Sequence, residues 1–280
     1  LKPSNGQFIT EAAHDLLWEL GKLHAVSLRP LQTDKNIVNI KANPNTSMSE
    51  LIHAIKSNPN VEYAEPNYIY RIIQTTIPND PSFNLDWGLL NTGQKDSKGQ
   101  EGIAGKDSGA AKAWTLATGS KDLVVAVIDT GVDYNHEDLK DNIWTNTKEI
   151  PNNNKDDDGN GFIDDVHGWN FEGKNSDPMD DNKHGTHVSG TIGAKGHNGI
   201  GTAGVNWNVS ILGIKFLSAG GSGTLDDAVE SIKYATLMGA HMTSNSWGGG
   251  GFSQTMLDAI NEAKTKGILF VAAAGNENND

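Results

Sequence analysis

The chain has 280 residues, a net charge of −13 and no cysteine, which excludes disulfides and thiolate metal ligands. Its 36% hydrophobic content suits one or two cored domains, and no run approaches the roughly 18 apolar residues of a membrane span. Residues 1–75 carry 7 basic and 7 acidic side chains, leaving 15 and 28 for the rest; the acidic excess of the second part argues against nucleic acid as a partner and suits cation binding or simply solubility.

In chain order, residues 10–22 read as a helix with Ala13, Leu16, Leu17 and Leu20 on one face. Two short strands follow at 25–31 and 37–40. Ser47 and Glu50 have the spacing of a capping box before a helix carrying Leu51, Ile52 and Ile55. Residues 61–70 read as a strand, and Pro66 within it predicts an edge position. Residues 71–84, with Pro78 and Pro81, read as a linker. Beyond them, strand-length apolar runs at 123–128, 210–217, 241–246 and 268–273 alternate with helices at 184–194, 225–238 and 254–266. Thr224 and Asp227 have capping-box spacing, and Gly239 and Gly267 stand where helix stops belong. Such alternation implies a mainly parallel sheet covered on both faces; strand order is not readable from sequence.

Two motifs carry chemistry. An apolar run ends in Ile128-Asp129-Thr130-Gly131, and His184-Gly185-Thr186-His187-Val188-Ser189-Gly190 opens a helix of small residues. A histidine exchanges protons near neutral pH, and a buried carboxylate can hold its tautomer. Either residue alone is an ordinary strand end or helix cap. The two extended motifs together closely resemble those of the subtilisin-like serine proteases. That resemblance implies an α/β, subtilisin-like parallel-sheet sandwich over 74–280. It also implies a small α+β, ferredoxin-like propeptide over 1–73, whose end resembles Val61-Glu62-Tyr63-Ala64-Glu65-Pro66-Asn67. It makes Asp129 the orienting carboxylate, His184 the general base and Asn276, after Ala-Ala-Ala-Gly, the oxyanion donor. Gly221-Ser222-Gly223 and Ser246-Trp247-Gly248 match the segments flanking the substrate groove; residues 70–73 are expected to occupy its subsites as a product-like inhibitor. His136 and His187 are taken as structural and Asp133 as a local hydrogen-bonding partner. The family's Gly-Thr-Ser-Met nucleophile motif is not among the 280 residues. Asn45-Thr46-Ser47-Met48 lacks the preceding glycine, and Ser189 lies inside the histidine helix.

The segment 156–165 places Asp156, Asp158 and Asn160 at positions 1, 3 and 5 and Gly161 at position 6, the spacing that gathers oxygens around Ca2+. The Phe162 carbonyl at position 7 and Asp164 or Asp165 would complete the cage, although His167 rather than Glu stands at position 12. The resemblance implies a second calcium site from Asp80, Asp138, the Asn198 side chain and the carbonyls of Gly196, Ile200 and Thr202. The expected protein is therefore the precursor of a calcium-dependent serine endopeptidase, secreted or in the cell envelope. Its partners would be protein or peptide substrates, its own propeptide and a C-terminal fragment bearing the serine. The alternatives are a non-catalytic pseudoprotease and a calcium-binding peptide-recognition domain.

Overall fold

Residues 123–128 are apolar without interruption, as a strand covered on both faces requires. The computed structural model describes residues 25–277 apart from 35, 70–74 and 97. The helix expected at 10–22 and the segment 70–73 lie outside the described residues. The chain divides into two compact units, Leu1–Ile72 and Ile73–Asp280.

In the first unit, β1 (Ala25–Pro30) and β2 (Val38–Ala42) pair antiparallel, with Leu28 opposite Ile40 and Pro30 opposite Val38. Helix α1 (Met48–Lys56) buries Leu51 and Ile55 against Ile40, Ala42, Val61 and Ala64. Two expectations fail here. Ser47 precedes α1 but does not cap it, because its hydroxyl bonds the Ser49 hydroxyl at 2.9 Å. Residues 61–69 form no ladder among the described residues. Pro66 has no N–H to give, and the segment packs Val61 and Ala64 on α1 instead.

The second unit runs through α2 (Ala110–Ala113), β3 (Gly119–Asp129), β4 (Gly168–Asn170), α3 (His184–Gly193), β5 (Asn208–Lys215), α4 (Leu225–Leu237), β6 (Met242–Asn245), α5 (Gln254–Thr265) and β7 (Leu269–Ala272). Five strands form one parallel sheet in the order β4-β5-β3-β6-β7. Alternate residues of β3 face opposite ways. Ala126 and Ile128 join Leu212, Ile214 and the apolar faces of α4 and α5, among them Ile232, Ala235, Ala259 and Ala263. Val125 and Val127 join Ile211 and the α3 residues Val188 and Ile192. Burying a side chain such as Ile128 or Ile232 contributes about 1.5–3 kcal/mol; both are fully buried.

The helix ends follow local chemistry. The Thr224 hydroxyl accepts the Asp227 amide at the start of α4, and the Ser253 hydroxyl accepts the Met256 amide at the start of α5. Gly239 and Gly267, at φ +71° and +80°, take the left-handed conformation that ends each helix. Strand β4 and helix α2 were not anticipated. At 3 and 4 residues they are too short to show periodicity. No helix among the described residues is long and apolar enough to cross a membrane.

Candidate active site

Every strand of the sheet runs the same way, so residues just past the strand ends gather on one edge, where α/β folds place their sites. Asp129 ends β3 there and is buried. His184 opens α3 on the adjoining face, with its side chain 49% exposed. Its Nδ1 stands 2.7 Å from Asp129 Oδ1, and the same oxygen accepts the Thr130 amide at 2.7 Å. A carboxylate only accepts, so the ring proton belongs on Nδ1 and the free Nε2 is left as a base. Asp129 Oδ2 is buried without a hydrogen-bond partner. Gly185 permits this approach: a Cβ there would stand 2.1 Å from the Gly131 carbonyl oxygen and 3.1 Å from Asp129 Cβ.

Asp180, absent from the sequence-derived set, organises the segment between these two residues. Its Oδ1 accepts the Thr130 hydroxyl at 2.9 Å and the amides of Asn182 and Lys183 at 2.9 and 3.0 Å. Its Oδ2 accepts the Thr186 hydroxyl at 2.6 Å and the Thr186 amide at 2.9 Å. The Thr130 hydroxyl in turn accepts the Gly185 amide at 2.9 Å. Burial pushes the Asp180 carboxyl up, but the Thr186 hydroxyl and the amides of Asn182, Thr186 and Lys183 outweigh it and hold it below the usual carboxylate range. The network also holds Lys183, the residue before α3, at φ +93°, a conformation costly for a side-chain-bearing residue. Sequence reasoning missed Asp180 because it is one acid in an acidic loop. Lys215 was missed too, although a lysine inside a buried apolar strand is a legible signal.

The two segments matched to a groove flank β3 differently. After β5, residues 217–223 turn tightly, with the Ser218 amide on the Ser222 carbonyl at 2.9 Å and the Gly221 amide on the Ser218 carbonyl at 2.8 Å. Gly223 lies so close to the chain that a Cβ would meet the Phe216 carbonyl oxygen at 2.5 Å. Gly221 and Ser222 are exposed. After β6, Ser246 and Trp247 are half-buried and Gly248 is exposed. Trp247 is tied down: its Nε1 donates to the Ile128 carbonyl at 2.8 Å and its ring meets Phe216 edge-on at 4.9 Å. Asn276 lies in an exposed bend beyond β7, the edge strand two places from β3. His136 accepts the Asp138 amide on Nδ1, and Asp133 accepts the Asn135 amide.

Two acidic groupings lie apart from this pair. Glu149, Asp156 and Asp158 turn carboxylate oxygens to within 4.8 Å of one another. Glu149, seven residues before the loop, was not foreseen because nothing in its spacing marks it. Asp164 and Asp165, expected to complete a cage, lie outside this grouping and bond elsewhere. The Asp164 oxygens accept the amides of Asn153 and Asn154. Asp165 is fully buried and accepts from Asn146, Asn160 and the Tyr234 hydroxyl, the last at 2.6 Å. Burial raises its carboxyl above the usual range despite these bonds. Asn160 is thereby turned toward Asp165, and its Oδ1 accepts the Phe162 amide. The Phe162 ring packs on Trp169, Phe171 and Tyr234.

The second grouping joins Asp80 and Asp138 to the loop 197–202. Asp80 accepts the amides of His197 and Asn198 at 2.7 and 3.3 Å. Asp138 accepts the Asn198 side chain at 2.8 Å and the Thr202 amide at 2.9 Å. The Ile200 amide closes the loop on Asn198 Oδ1 at 2.8 Å, and Gly196 packs on Trp207. Asp80, Asp138 and Glu149 are buried. Among the described residues no lysine, arginine or histidine pairs with them or with Asp156 and Asp158. Buried carboxylates without a counter-charge are unfavourable, and oxygen donors of this kind fit a hard cation such as Ca2+.

A model of the subtilase family matches residues 120–280, and one of the fervidolysin N-terminal prodomain matches residues 28–67. The chain is 35% identical over 231 residues to a thermophilic serine proteinase of Bacillus sp. (strain AK1), covering 82% of this chain and 48% of that protein. It is 43% identical over 153 residues to subtilisin-like protease 1 of Plasmodium falciparum (isolate 3D7), covering 54% of this chain and 22% of that protein. Among solved structures, one of proteases from Pseudoalteromonas arctica PAMC 21717 matches with a TM-score of 0.53 and 31% identity, over 72% of this chain and 60% of that one. The chain thus spans about half the length of the first of these relatives and about a fifth of the second.

Proposed function

Since the chain belongs to the subtilase family, we propose that it forms part of a calcium-dependent serine endopeptidase zymogen that hydrolyses peptide bonds. Residues 1–73 serve as inhibitory propeptide and 74–280 as the first part of the catalytic domain, a division supported by the prodomain match at 28–67. The observation that carries the reading is the 2.7 Å contact between His184 Nδ1 and buried Asp129. His184 Nε2 takes the proton of a serine hydroxyl as it attacks the scissile carbonyl, then gives it to the departing amine. Asp129 keeps the proton on Nδ1 and stabilises the imidazolium. The Asn276 side-chain amide donates to the oxyanion of the tetrahedral intermediate. An extended substrate lies along residues 221–223 and 246–248, pairing by main-chain hydrogen bonds. The serine itself is outside these 280 residues. Glu149, Asp156 and Asp158 would hold one calcium ion, and Asp80, Asp138 and the 196–202 loop another. Each ion supplies charge neutralisation and a cross-link between loops. We place the protein outside the cytoplasm, secreted or in the cell envelope, as its family resemblance implies.

A fluorophosphonate probe tests this reading. The full-length protein that carries the serine should be labelled after propeptide removal, and His184→Ala should abolish labelling. The 280-residue chain alone should remain unlabelled. Labelling of the 280-residue chain, or of the His184→Ala protein at the original rate, would reject the mechanism. A full-length protein that never labels would favour a non-catalytic peptide-binding role.

A further inference from the structure

Lys215 ends β5 directly across from Asp129 and is only 2% exposed. Its ammonium has three protons and meets three acceptors: the Thr130 carbonyl at 2.9 Å, the Leu217 carbonyl at 2.7 Å and Asp181 Oδ1 at 2.7 Å. The buried ion is therefore fully hydrogen-bonded by protein atoms. The acceptors come from three walls of the site. Thr130 follows Asp129, Leu217 opens the turn to 221–223, and Asp181 lies in the segment that leads to His184. Backbone bonds extend the tie: the Asp129 carbonyl accepts the amides of Phe216 and Leu217 at 3.1 and 3.2 Å, and the Asn182 side chain donates to the Ala219 carbonyl at 2.8 Å. A residue that only filled space here would need neither a charge nor three aligned acceptors.

We propose that Lys215 is a positioning residue whose buried ammonium clamps the Asp129 turn, the His184 segment and the groove turn into one geometry. Together with Asp181 it also sets the field in which His184 binds its proton. The proposal rests on Asp129 and His184 being the orienter and base. The charged and titratable groups carried by the segments that form the site are Asp129 and Asp133 at the β3 end, Asp180, Asp181 and Lys183 on the segment before His184, His187 on α3, and Lys215 on β5. Of these, Lys215 is the buried cation, so its charge is poorly screened by solvent.

The test is a histidine-selective 15N NMR titration of the 280-residue chain, which reads His184 directly and needs no nucleophile. Lys215→Met keeps the length of the side chain, removes its charge and leaves Asp181 unpaired; the His184 midpoint should rise. Asp181→Asn removes the opposite charge and should lower the midpoint. Its side chain is 51% exposed, so this variant keeps the question open even if Lys215→Met fails to fold. Lys215→Arg should stay near the parent value. Opposite shifts in the two charge-removing variants support the proposal. A His184 midpoint unmoved by Asp181→Asn, or moved the same way by both variants, overturns it whatever happens to the melting temperatures, because a merely structural lysine would alter stability without a charge-dependent displacement. Opposite shifts combined with a full-length protein that never labels would reject the proposed activity and leave the clamp standing.

Discussion

Asp180 takes five hydrogen bonds on one carboxylate, and through Thr130 and Thr186 it connects the turn after Asp129 to the first turn of α3. Bonds to a charged acceptor contribute about 1.5–3 kcal/mol each in isolation, and they are not additive. Asp180→Ala is therefore expected to cost about 3 kcal/mol of stability at neutral pH. The folded carboxyl lies below its ordinary value, so the unfolded chain binds more protons as pH falls. The stabilisation is fully present above the unfolded pKa and is lost as pH drops through the folded one. Urea unfolding of parent and variant at pH 7 and near pH 3 should show the gap narrowing in acid. A constant gap would mean that the carboxylate acts through packing. Asp129 and His184 were legible because each stands inside an extended motif. Asp180, Lys215 and Glu149 combine any local bonds with partners 6 or more residues away along the chain, and their immediate neighbours carry no trace of those longer-range contacts.

Helix α4 illustrates an element whose local chemistry agrees with its place in the fold. Thr224 accepts the Asp227 amide and donates to Asp227 Oδ2 at 2.8 Å, while Lys174 bonds the other Asp227 oxygen at 3.0 Å. Thr224→Ala should lower stability by about 1 kcal/mol, read as a shift in denaturant midpoint at unchanged slope; no shift would mean that the Lys174 contact alone holds the helix start. At α1 the same kind of signal misled, since Ser47 bonds Ser49 rather than capping the helix. Spacing makes a cap available, and the competing side-chain partner decides whether it forms. Residues 61–69 teach a similar lesson: Val61 and Ala64 pack on α1 without a strand partner.

At the scale of the whole molecule, both acidic groupings join loops distant in sequence. Asp80 and Asp138 hold the 197–202 loop, and Glu149 reaches the 156–158 segment. A bound cation would stabilise the native state alone, by about 2.7 kcal/mol at 100 times its dissociation constant. Chelation should then lower the thermal midpoint by roughly 5–10 °C. Glu149→Gln should shrink that response, and a midpoint indifferent to chelator would rule out calcium at both groupings. The sequence by itself determined the parallel α/β alternation, the positions of most helices and strands, and the Asp129 and His184 motifs. These are short-range patterns: uninterrupted apolar runs for strands covered on both faces, capping residues, and small residues where chains approach closely. Only the tertiary structure decided the strand order β4-β5-β3-β6-β7, the exclusion of Asp164 and Asp165 from the loop cluster, the tethering of Trp247, and the convergence of Asp180, Asp181 and Lys215 on the Asp129 and His184 pair. Each of these depends on which buried polar group finds a partner once the sheet has brought separate segments together. That choice follows from desolvation and hydrogen-bond geometry in three dimensions, which spacing along the chain does not encode.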